Sequence, residues 1–261
     1  DALEPGLDAN FSGAMNLDQG RTGVGSTRWA LYLGLALTTC SMLLVQQFLT
    51  RIYSIQFNAG LAFLAISITF LGLGSAGMAV YAFPRWFAVE RAPRLVPLAA
   101  LLYSLCLVGG FVALVATDRT VTGDGPESLQ AQVLGVLGAS LWMLPAMFLV
   151  GLVIALVLRA NAAHVHRLYG ADLAGGGIGC LLVLPLMNRV GGDDGIFLIG
   201  ALACAGAFFL AHADGARACR AIGLGALCLC LAGPWLNRER ALVDVRSHGT
   251  GVPSSSVTYA R

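Results

Sequence analysis

Seven apolar runs follow one another along the chain, near 29–50, 57–83, 95–117, 130–158, 168–188, 195–213 and 219–236, and the first four contain no Asp, Glu or Arg at all. A bilayer core of roughly 30 Å is crossed by about 20 helical residues, so every run is long enough to span it. In lipid the backbone must satisfy its own donors and acceptors, and no run alternates with period two as a barrel strand would. The expected fold is therefore all-α: a polytopic transmembrane bundle of about seven helices.

Composition excludes the competing classes. Of 261 residues, 57% are hydrophobic and only 11% charged, and the mean hydropathy is +0.76. A soluble domain needs about 25% charged residues to face water. Disordered chains are rich in charge and poor in large apolar residues. A net charge of +2 supplies no stripe for nucleic-acid phosphates. The odd count of seven Cys, all within or beside apolar runs, reads as small packing hydrophobes and not as a disulfide framework or a metal site. Residues 1–27 are polar and Gly-rich and read as a flexible tail, 28–236 as the transmembrane domain, and 237–261 as a polar linker or the start of a downstream domain. The opening at Asp1 and the break at Arg261 read as a segment of something longer.

Connections carry turn residues: Pro84, then Pro93 and Pro97, then TGDGPES at 122–128, then Gly191-Gly192-Asp193-Asp194-Gly195 as a tight hairpin between the fifth and sixth runs. Pro145 and Pro185 fall within spans, where kinks are expected. Small residues cluster at Gly72, Gly74, Ser75 and Gly77 in the second run and at Ala171, Gly175 and Gly179 in the fifth. Such spacing lets helix backbones approach closely, which nominates the second and fifth helices for the bundle centre. Arg21, Arg28, Arg85, Arg91, Arg94, Arg159, Arg167, Arg217 and Arg220 fall on one side, against Arg51, Arg119 and Arg189 on the other. On short loops this favours a cytoplasmic N-terminus in a multi-pass protein of a cell inner membrane or plasma membrane.

Few residues could carry chemistry. Asp172 is the one acid within an apolar run; it reads either as an interfacial or capping group near the start of its span, or as a functional polar site. Gln46, Gln47 and Arg51 end the first span, with Gln47 and Arg51 on one helical face. Arg51 there either snorkels to the interface or, with the two amides, binds a ligand. His164 and His166 sit in a basic loop without a third ligand, so no metal site is expected. Gly175-Gly176-Gly177-Ile178-Gly179 lies inside an apolar helix and lacks the preceding strand that a nucleotide-binding loop needs. No catalytic triad, paired carboxylates or cofactor motif is visible, and no cofactor is expected in this segment.

Two stretches together resemble the membrane part of spermidine-synthase-like proteins. The first is LLVQQFLTRIYSIQFN followed by AFLAISITFLGLGSAGMAVY, and the second is RLYGADLAGGGIGCLLVLPLMNRVGG. The resemblance runs from about residue 29 to 236 in helix count and order. Arg51, Tyr169, Asp172, Gly175 and Gly179 match the family pattern, whereas Gln46 and Gln47 stand where that pattern tends to have a Glu. What the resemblance implies is a membrane anchor or substrate-feeding unit for a following Rossmann-like aminopropyltransferase-type domain, which would bind a decarboxylated S-adenosylmethionine-like donor and a polyamine. The alternation of Val243, Val245, Val257 and Tyr259 suits the first strands of such a domain. Two other readings stand beside it: a small secondary transporter with Asp172 as its coupling acid, and a structural subunit of a membrane assembly. The expected partners are the lipid bilayer, that downstream domain and, in an oligomer, further copies of the chain.

Overall fold

A computed structural model describes residues 24–56, 59–121 and 129–240. Among them the chain forms six α-helices and no strand: α1 (Val24–Gln56), α2 (Ala59–Ala82), α3 (Ala92–Val121), α4 (Leu129–Ala160), α5 (Val165–Ala213) and α6 (Arg217–Arg240). Short 3-10 turns at Val89–Arg91 and Ala162–His164 lead into α3 and α5. Five stretches are long and apolar enough to cross a membrane, namely Arg28–Arg51, Val89–Gly110, Met143–Ala160, Ala162–Arg189 and Gly195–Ala213, and Ile66–Ala82 is a shorter apolar helix. The chain is a helical membrane protein.

Helix α5 is the key to the topology. Its backbone is helical from Val165 to Ala213, a length that a straight rod would carry over roughly 70 Å at 1.5 Å per residue. Yet a Cβ on Gly175 would collide with Ala36 and one on Gly179 with Cys40, while Gly206 abuts Thr38 and Leu210 abuts Gly34. The first arm of α5 thus runs parallel to α1 and the second arm antiparallel to it. The helix doubles back between Leu186 and Gly195, whose would-be Cβ lies 3.8 Å from Leu186 Cδ2. The hairpin expected at 191–195 thus falls where the two arms of α5 reverse, with no separate loop element between them.

Rods successive in the chain alternate in direction. Gln46 and Thr50 of α1 face Thr69 and Ile66 of α2, so this pair is antiparallel. Gly72 meets Leu144 and Met147, and Gly151 meets Leu73 and Ala76, so α2 and α4 run the same way. Val96 of α3 lies with Val157 of α4 at one end, and Tyr103 and Leu107 with Met143 and Met147 further along. Gly223 and Gly233 of α6 oppose Phe208 and Phe197 of the second arm. Six helices make seven rods, with Arg28, Val89, Asn161 and Asp214 gathered at one end and the α5 reversal at the other.

The centre of the bundle differs from the expectation. Helix α1 and the second arm of α5 are its most buried rods, whereas the first arm is mostly exposed and α2 presents Phe63, Phe70, Leu71 and Met78 outward. A glycine seam brings two backbones together but does not set how many neighbours a helix has. Large side chains fill the interior, among them Phe48, Tyr103, Leu107, Met143 and Met147, all fully buried. The tail expected over 1–27 is shorter where the structure describes it, because α1 already begins at Val24. The loop at 122–128, residues 1–23 and the strands expected after Arg240 lie outside the described residues.

Candidate functional site

The glycine seam brings the backbones of α1 and the first arm of α5 close together. Gly175 and Gly179 lie on the α1 backbone at Ala36 and Cys40, and Gly176 faces Leu43. A side chain at either of the first two would push against backbone that cannot rotate away. Gly72 plays a comparable part between α2 and α4, whereas Gly74 and Gly77 meet nothing within 4 Å and face outward.

Asp172 sits on the face of the first α5 arm that turns toward α1, partly buried, with Thr39 beside it. The Thr39 hydroxyl is already directed to the Leu35 carbonyl at 2.8 Å. Asp172 Oδ1 is buried without a hydrogen-bond partner. Tyr169, three residues earlier, is exposed, as are Trp29, Tyr81 and Trp86 at the same end of the bundle. Together they form an aromatic collar of the kind that sits at lipid headgroup level.

The polar group at the far end of α1 divides. Gln46 is buried and its Nε2 donates to Thr69 Oγ1 at 3.4 Å. With Thr50, Thr69 and Ser140 it lines a cavity of about 10 Å³ between α1, α2 and α4, and Ser140 Oγ is buried without a hydrogen-bond partner. Gln47 and Arg51 are exposed. Gln46 is thus turned inward and Gln47 and Arg51 outward, and Arg51 and Asp172 fall at opposite ends of the bundle.

Sequence reasoning missed the polar pocket at the Arg28 end. It holds about 500 Å³ and is lined by Arg28 of α1, Val96 of α3, Asn161 after α4 and Asp214 after α5. Asn161 Nδ2 donates to the Val157 carbonyl at 3.0 Å, which leaves its Oδ1 for the pocket. Asp214 closes α5: its N–H reaches Leu210 O at 3.2 Å, Gly215 adopts φ 73°, and Ala216 N–H returns to Ala211 O at 2.9 Å. Only glycine takes that left-handed position without strain, so the chain turns sharply and holds Asp214 in the pocket wall. Burial pushes the Asp214 carboxyl up to about 6, and the carbonyl end of α5 disfavours the anion in the same sense. A polar residue just past the end of an apolar run was the available signal, at Asn161 and Asp214 alike. The arrangement offers a guanidinium, an amide oxygen and a carboxyl that can exchange a proton near neutral pH, above an apolar floor.

Among the described residues no three His, Cys, Asp or Glu side chains come together as metal ligands. All seven cysteines are free, with Cys40, Cys204 and Cys230 buried. No protein-family model, curated protein or solved structure matches this chain.

Proposed function

We propose that this chain is the integral membrane domain of a spermidine-synthase-like protein, anchoring or feeding substrate to a downstream aminopropyltransferase-type domain. One observation carries the reading. The segments that bear the resemblance meet directly: Gly176 of the second stretch packs on Leu43 of the first. Two distant stretches of shared pattern are thereby joined in one seam. A core filled with large side chains suits an anchor, and the pocket with Arg28, Asn161 and Asp214 is where an amphiphilic or cationic substrate would meet a carboxyl. On this reading the nine-to-three Arg distribution sets the Arg28 end in the cytoplasm of a cell inner membrane or plasma membrane. Seven alternating rods then put the end of α6 on the opposite side from Arg28.

The coding sequence beyond Arg261 tests the proposal. A strand, a glycine-rich turn and a helix followed by an acidic residue support it; a further set of apolar spans overturns it. A second reading, a small secondary transporter, is favoured by the unpartnered Oδ1 of Asp172. Proton-coupled uptake by proteoliposomes that is lost in Asp172→Asn, with folding intact, would select that reading over the first.

A further inference from the structure

The α5 hairpin encloses a second cavity of different character. It holds about 490 Å³. Leu186 and Pro185 of the first arm form one wall, Ala201 and Ala205 of the second arm the other, and Leu231 of α6 the flank. The floor is Leu44 of α1, which is fully buried, while Leu231 is exposed and so marks the open side. Apart from Arg189, its lining is apolar, and Arg189 stands at the end nearest the reversal of α5.

We propose that this trough holds an acyl chain of an anionic phospholipid, with the lipid phosphate at Arg189. The trough is apolar along its length and charged at one end only, which is the polarity pattern of an acyl chain carrying a phosphate. An Arg closing an apolar span extends to the interface, where phosphates lie, and its planar guanidinium suits a phosphodiester. Chain and charge are arranged along one axis, tail inward and headgroup at the end of the rod. The site is separate from the Arg28-end pocket and does not depend on the proposed function.

Thermal unfolding of the purified chain in detergent, with lipid added, tests it. Phosphatidylglycerol should raise Tm more than phosphatidylcholine of the same acyl composition, and inorganic phosphate alone should have no effect. Native mass spectrometry should show about a fivefold excess of retained phosphatidylglycerol over phosphatidylcholine. Arg189→Gln should remain folded and lose that excess. Ala205→Trp, which fills the trough, should retain less of both lipids. Equal retention of the two lipids by the native chain overturns the proposal. A preference that survives Arg189→Gln, or one reproduced by inorganic phosphate, overturns it too.

Discussion

At the level of single residues, direction of donation decides which substitutions matter. Ser41 donates to the Thr38 carbonyl at 2.7 Å, so the 2.9 Å contact between Ser41 Oγ and Tyr103 Oη is a bond donated by the tyrosine. Tyr103→Phe removes that donor and leaves Ser41 still bonded, at a cost of about 0.6 kcal/mol, the mean for bonds between membrane helices. Ser41→Ala instead strands a fully buried phenol, which costs about 1–3 kcal/mol. Ser140→Ala removes a hydroxyl that has no partner and should leave stability unchanged or raised. Chemical unfolding in detergent should find Ser41→Ala the least stable, Tyr103→Phe next and Ser140→Ala the most stable of the three. Asp214 gives a pH signature. Its carboxyl is held at about 6 in the folded protein and falls to the ordinary carboxylate range, near 4, when unfolded. The native state therefore binds the proton more tightly, and stability is greatest below the unfolded value. It declines as pH rises through about 4 to 6 and stays lower above. Arg28 lines the same pocket, and His212, contacting Arg220 at 3.0 Å, flanks the turn. Asp214→Asn should flatten the fall in Tm between about pH 4 and pH 6 while raising Tm at neutral pH.

Among the helices, glycine position outweighs glycine number. Gly175 and Gly177 stand two residues apart on α5, one pressed against Ala36 and the other meeting nothing within 4 Å. Gly175→Ala should lower Tm, and Gly175→Leu or Gly179→Leu should separate α1 from α5 outright. Gly177→Ala should raise stability by about 0.5–1 kcal/mol through helix propensity alone. Equal responses at the two positions would deny the seam. The repeat of small residues at 171, 175 and 179 was legible in the sequence because its spacing selects one helical face. The partner was not, since nothing in Ala36 or Cys40 distinguishes them from other small residues of α1. Gly74 and Gly77 misled for the same reason: they lie near Gly72 in sequence but on the outward face of α2. The pocket at the Arg28 end was only half legible: Asn161 and Asp214 each follow an apolar run, but nothing local says that residues 28, 96, 161 and 214 converge.

For the molecule as a whole, the number of crossings follows from whether α5 counts once or twice. Apolar length made the seven rods readable, since a long run with at most one charge is long enough to cross a bilayer and costly to leave in water. The structure keeps seven rods, with five stretches long and apolar enough to cross a membrane, and joins two of the runs in one hairpin. With seven rods, positions 85, 91 and 217 share one side of the membrane and position 189 the other; with α5 as a single rod, 189 could not lie opposite both 167 and 217. Single cysteines at 85, 167, 189 and 217, introduced after replacement of the seven native ones, can be labelled in intact cells with a membrane-impermeant maleimide. Label at 85, 167 and 217 should appear only after the membrane is opened if the Arg-rich end is cytoplasmic, whereas 189 should react from outside. The reverse pattern would keep the hairpin and invert the protein. Opposite access at 167 and 217 would remove the reversal itself, and with it the trough between the arms.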